Sequence, residues 1–174
     1  LRALEWFGGY LNLCPRFVSD EDVKTLTREC GVSDEEAYRL LMASACGLDI
    51  AGDPWARRMA ERYFRPGVRC LDAAACRADP YYASVRLPET RQGNWTLGYK
   101  RIEALEAFAA GDLLLLADGR EVPLAGYFTE PFLAPVVMQD GREWMTVTPS
   151  ELSTMSQDIR TVSGKVAVFG LRLG

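Results

Sequence analysis

Apolar residues recur at helical intervals up to about residue 92 and then shift to strand-like alternation. In the first segment Leu4, Phe7 and Leu11 form one stripe, with Trp6, Tyr10 and Leu13 on a neighbouring one. That helix is apolar over much of its surface, which predicts a buried or docked element. Ser19 followed by Asp22, and Ser33 followed by Glu36, have the spacing of capping boxes. Val23, Leu26 and Cys30 mark the face of the helix that Gly31 ends. Tyr38, Leu41, Met42 and Ala45 mark the face of the next, ended by Gly47. Asp53-Pro54 supplies an N-cap and a proline in the first helical position, predicting a helix with Trp55, Met59 and Tyr63 on one side. Arg65-Pro66-Gly67 breaks it, and Asp72 and Asp79-Pro80 announce two shorter helical turns.

From residue 93 the pattern is that of strands. Trp95, Leu97 and Tyr99 alternate, Leu113 to Leu116 read as a buried strand, and Leu133 to Met138 form a further apolar run. Asp-Gly-Arg-Glu follows the second and third of these runs, at 118 to 121 and at 140 to 143. Asp-Gly between apolar runs favours a tight turn, so two successive hairpins are expected. Turn chemistry alone accounts for a four-residue recurrence; an internal duplication is the other explanation. Thr148-Pro149-Ser150-Glu151 then combines a capping box with an N1 proline and predicts a helix through about Ile159. Lys165 to Phe169 is a short β-branched run that ends on Gly170 and, four residues later, Gly174. The expected class is therefore α+β. It comprises a helical region over 1–92, a β-hairpin region over 93–147, and a helix, strand and glycine loop over 148–174.

Composition narrows the chemistry. The 174 residues are 48% hydrophobic and 25% charged, with a net charge of −4. An acidic balance argues against nucleic acid as the main partner. There is no histidine, so these residues contain no Ser/His or Cys/His nucleophile pair and no His-ligated zinc. The five cysteines, Cys14, Cys30, Cys46, Cys70 and Cys76, are odd in number and form no C-x-x-C pair. Reduced thiols in a cytoplasmic protein are the expectation, with no metal site. No apolar run approaches the ~20 residues of a membrane helix, and the start lacks a signal-peptide pattern.

Three sets of side chains are candidates for function. Arg57, Arg58, Arg62, Arg65 and Arg69 concentrate positive charge, suiting either an anion or nucleic-acid contact or a solvated face. Tyr81, Tyr82, Trp95, Tyr99, Tyr127, Phe128 and Trp144 suit either a substrate pocket or core packing. Glu103, Glu106 and Glu151 are available acids, but their spacing specifies no catalytic pair, and no general base is assigned.

The stretch from Gly141 to Glu151, the helix after it, and Gly164 to Gly174 resemble the start of a class I S-adenosylmethionine-dependent methyltransferase domain. The resemblance is to bacterial methyltransferase-like proteins in which a helical and β-rich region precedes a Rossmann-like domain. It covers roughly the last 35 residues specifically and the rest more loosely. It implies that the strand ending at Phe169 is the first of a Rossmann-like sheet, truncated at Gly174. Phe169, Gly170, Leu171 and Gly174 would then border S-adenosylmethionine, with Trp144, Thr146 and Thr148 near the cofactor mouth. Val168 and Arg172 stand where the family's loop has an acidic residue and its middle glycine. The ribose-binding acid, the adenine pocket and the substrate loops would lie after Gly174, so these residues alone should not transfer methyl groups. The region would supply substrate recognition for a small-molecule or protein methyl acceptor, a lid, or a homodimer interface. Two rivals stand beside that reading. One is a non-enzymatic binding or oligomerisation module; the other is part of a dinucleotide-dependent enzyme, since strand–Gly–x–x–x–Gly does not separate the cofactors.

Overall fold

A computed structural model describes residues 2–152 and 161–165. The chain is mixed α and β and divides into two compact units, each assembled from two stretches of sequence. One contains residues 1–71 and 103–130; the other contains 72–102 and 131–174.

The first unit begins with three helices, α1 (Arg2–Leu13), α2 (Asp20–Cys30) and α3 (Asp34–Ala45). Both predicted serine caps form, Ser19 Oγ accepting from Asp22 N and Ser33 Oγ from Glu36 N, each at 3.2 Å. Gly31 ends α2 at φ 66°, a left-handed position where a side chain is strained. The buried face of α1 differs from the expected stripe: Ala3, Phe7 and Tyr10 are buried, whereas Leu4 is exposed and Leu13 is 85% exposed. The buried face runs between the two apolar stripes, taking Phe7 from one and Tyr10 from the other, and Phe7 packs on Phe64 with 4.9 Å between ring centroids.

Asp53 caps α4 (Pro54–Met59), its carboxylate accepting from Trp55 N at 2.8 Å. A π-helical turn, Ala60–Phe64, and α5 (Arg65–Gly67) continue it. Pro66 explains the irregular turn, because it has no N–H for the Arg62 carbonyl one α-turn earlier. The Arg120 guanidinium donates to that carbonyl instead. So Arg65-Pro66-Gly67 widens the helix before ending it, and β1 (Val68–Cys70), unannounced in the sequence, follows at once.

β1 pairs in parallel with β5 (Glu121–Tyr127), which pairs antiparallel with β4 (Phe108–Leu115), giving the order β1-β5-β4. The expected Asp118-Gly119 hairpin forms, with Gly119 at φ 78°. The Leu113–Leu116 run is not buried as expected, Leu115 being 68% exposed. β4 lies at the sheet edge and its register to β5 shifts twice, so that stretch is covered on one side at most. The core of this unit joins Phe7, Tyr10, Tyr38, Met42, Phe64, Val68 and Tyr127.

The second unit has the short helices α6 (Ala73–Ala78) and α7 (Pro80–Ser84), capped by Asp72 and Asp79 as expected. Its sheet runs β2-β3-β6-β7, formed by Thr90–Gln92, Trp95–Ile102, Phe132–Gln139 and Arg142–Thr146. Every neighbouring pair is antiparallel. Asp140 and Gly141, at φ 52° and 74°, make the β6–β7 turn that the Asp-Gly signal predicted. The two Asp-Gly hairpins thus belong to different sheets.

Candidate functional site

The second unit places the most chemistry at one end of its sheet. Two hairpin tips meet there: Asp140 N donates to the Asn94 carbonyl at 2.9 Å, and Asn94 Nδ2 to Asp140 Oδ2 at 3.0 Å. Beside them Trp95 and Trp144 pack edge to face, with centroids 5.7 Å apart and planes at 81°. A register shift between Val137 and Met138 leaves Trp144 as an extra residue in β7, opposite no partner. Bulges re-aim side chains, and Trp144 is 65% exposed. A groove of about 370 Å³ lies along β2 and β3, lined by Glu89, Thr90, Arg91, Thr96, Gly98 and Met138 among others. The site offers flat aromatic surface, the Asp140 and Glu89 carboxylates and the Arg91 guanidinium, with Asp140 held by Asn94, which suits binding rather than proton transfer.

Three predicted residues lead out of this sheet. Trp144 presents its ring to the surface. Thr146 is buried, and its hydroxyl donates to Glu143. Thr148 Oγ1 accepts from Glu151 N at 3.3 Å and so caps the helical turn that begins at residue 149. The threonines are thus engaged in holding the chain, and of the three only Trp144 has an exposed side chain. Glu143 also binds Lys100 Nζ at 2.7 Å. Burial opposes its ionisation, yet the Lys100 ammonium and the Thr146 hydroxyl outweigh burial and hold the carboxyl below its ordinary range. Phe169, Gly170, Leu171 and Gly174, with Val168 and Arg172, lie outside the described residues, as does most of the predicted 148–159 helix.

The other candidates take structural places. Tyr127 stacks on Tyr38 at 3.7 Å, and Phe128 packs on Phe108 at 5.0 Å. Tyr38 donates to the Leu105 carbonyl at 2.9 Å, and burial raises the Tyr38 and Tyr127 hydroxyls far above their usual range. Tyr82 packs on Phe132, and the Tyr99 hydroxyl accepts from Leu87 N. Glu106 is buried, accepting from Arg16 Nε at 2.8 Å and from Glu103 N at 3.0 Å, so it anchors a loop. That Arg16–Glu106 pair spans ninety positions and left no local signal in the sequence. Of the five arginines, Arg57, Arg58 and Arg62 line a second cavity, Arg65 is paired with Glu61, and Arg69 is on β1.

Burial pushes the Cys46 thiol up to about 12, helped by the nearby Cys14, and also raises Cys76. Neither is a ready nucleophile. Among the described residues no group of three or more His, Cys, Asp or Glu could hold a metal ion, and no helix is long and apolar enough to cross a membrane. Comparison with protein-family models, with curated proteins and with solved structures found no match to this chain.

Proposed function

We propose that the chain is the N-terminal, substrate-recognising region of an S-adenosylmethionine-dependent methyltransferase, leading into a Rossmann-like domain at residues 148–174. The observation that carries the reading is the exposed Trp95–Trp144 pair, whose Trp144 belongs to the segment that resembles the start of such a domain. That segment is firmly held. Val147 N donates to the Pro135 carbonyl at 2.9 Å, Val147 and Leu152 are buried together, and Thr148 caps the next turn. A strand fixed to the sheet with a capped helical turn behind it suits the approach to a cofactor loop. The aromatic pair supplies surface on which a flat or apolar methyl acceptor can rest.

Calorimetric titration of the full-length protein with S-adenosylhomocysteine tests the cofactor part. Saturable binding is expected, and none at millimolar ligand overturns it. Trp144→Ala should weaken acceptor binding and leave S-adenosylhomocysteine affinity nearly unchanged; an equal loss of both removes the recognition role.

A second reading is favoured by a different surface. Leu13, the last residue of α1, and Phe17, four residues further on, are both exposed. Such a patch suits a self-association module. Light scattering separates the two: a ligand-independent dimer lost in Leu13→Ser/Phe17→Ser supports the module, and a monomer at all concentrations removes it.

A further inference from the structure

Within the first unit, we infer that Arg57, Arg58 and Arg62 form a binding site for a small phosphate monoester, separate from the site proposed above. A cavity of about 460 Å³ is lined by Pro54, Arg57, Arg58, Glu61 and Arg62. That volume is within the range of small-molecule sites. Its origin is local. Asp53 and Pro54 start the helix, so residues 57, 58, 61 and 62 fall on successive turns of one side.

The charge balance makes the cavity cationic. Arg57 is fixed by three donations, Nε and Nη2 to the Ile50 carbonyl at 3.3 and 3.2 Å and Nη2 to the Ala51 carbonyl at 3.5 Å. Carbonyls orient the guanidinium without neutralising it. Glu61, the one carboxylate in the lining, is already paired with Arg65 at 3.0 Å. Arg58 and Arg62 have no side-chain hydrogen bond or ion pair within the described residues. Asp118 feels the charge of Arg62, but its carboxylate is bound by Arg120 at 2.6 Å. Arg57, Arg58 and Arg62 therefore border one cavity, where the single carboxylate is already paired elsewhere.

Guanidinium is planar and matches phosphate oxygens in pairs, and a dianion draws more from three such groups than a monocarboxylate does. A small ligand fits better than a nucleic acid. Arg65 is neutralised and Arg69 sits on β1, so the linear run of five arginines folds into a compact spot, not a stripe that tracks a backbone. The net charge of −4 also opposes a long polyanion.

The test is calorimetric titration of the 174-residue chain at low salt with glycerol 3-phosphate, with glycerol, and with a single-stranded oligonucleotide. Saturable binding of glycerol 3-phosphate and none of glycerol is expected. Affinity should fall about tenfold or more in Arg58→Ala and in Arg62→Ala, the scale of one lost charge-assisted contact, and stay unchanged in Arg69→Ala. These side chains are exposed, so unchanged circular dichroism and melting should confirm folding of each variant. Absence of saturable phosphate-ester binding overturns the site, as does binding that survives both substitutions. Tighter binding of the oligonucleotide, weakened equally by Arg69→Ala, replaces it with a nucleic-acid surface.

Discussion

Replacing Gly67 by alanine should destabilise the first unit, although the same change at Gly8 should stabilise it. A Cβ at Gly67 would lie 2.6 Å from the Pro123 carbonyl oxygen, 2.8 Å from Val122 Cγ1 and 3.0 Å from Phe7 Cζ. The nearest of these is backbone on β5, the central strand, and it cannot retreat without disturbing the Val68–Ala125 register that follows one residue later. Overpacking of this kind costs roughly 1–3 kcal/mol. Alanine offsets about 0.4–1 kcal/mol of that by restricting the unfolded chain. The expected net loss is about 1–2 kcal/mol, or roughly 2–4 °C of Tm per kcal/mol at this chain length. Gly8 lies in the interior of α1 with nothing within 4 Å of its would-be Cβ, so Gly8→Ala should gain about 0.5–1 kcal/mol from helix propensity alone. Urea unfolding followed by far-ultraviolet circular dichroism reads both, with unchanged m-values showing that the same transition is compared. A Gly67→Ala protein as stable as the parent, or as stable as Gly8→Ala, would refute the close approach of α5 to β5.

Other expectations follow from individual contacts. Tyr38→Phe leaves the Leu105 carbonyl without its donor in a buried place and should cost about 1–3 kcal/mol, measured in the same urea assay; no change would deny the bond. Glu143 is depressed, so its contribution to stability is complete above the ordinary value of 4.5 and is lost as pH falls through the lower folded value. Lys100→Met should move the Glu143 titration upward, followed by carboxyl-carbon NMR, and an unmoved midpoint contradicts the assignment. At pH 8 a disulfide-exchange reagent should label exposed Cys30 and Cys70 first, leaving Cys14, Cys46 and Cys76 until unfolding; fast labelling of Cys46 would argue against its burial.

Local chemistry made the boundaries of the elements legible. Ser19, Ser33, Asp53, Asp72 and Asp79 cap helices where the sequence placed them, because a cap joins a side chain to amides two or three residues away. Asp-Gly at 118–119 and 140–141 turns the chain for the same reason, through the φ those residues tolerate. The Trp144 and Thr148 positions of the candidate site were readable as the approach to a helix. That Trp144 meets Trp95 was not, since the pair depends on a bulge in β7 and on two hairpin tips joined across about forty-six positions.

The sequence by itself determined where helices start, where strands turn, and that no histidine chemistry operates within these residues. Tertiary structure alone decided which residues of α1 are buried, that β1 exists and pairs with β5, that the two hairpins join separate sheets, and that three of five arginines share a cavity. The division has one physical cause. Caps and turns are set by interactions over a few residues, while burial, parallel pairing and charge clustering depend on partners brought together only when distant stretches, 1–71 with 103–130 and 72–102 with 131–174, pack into their two cores.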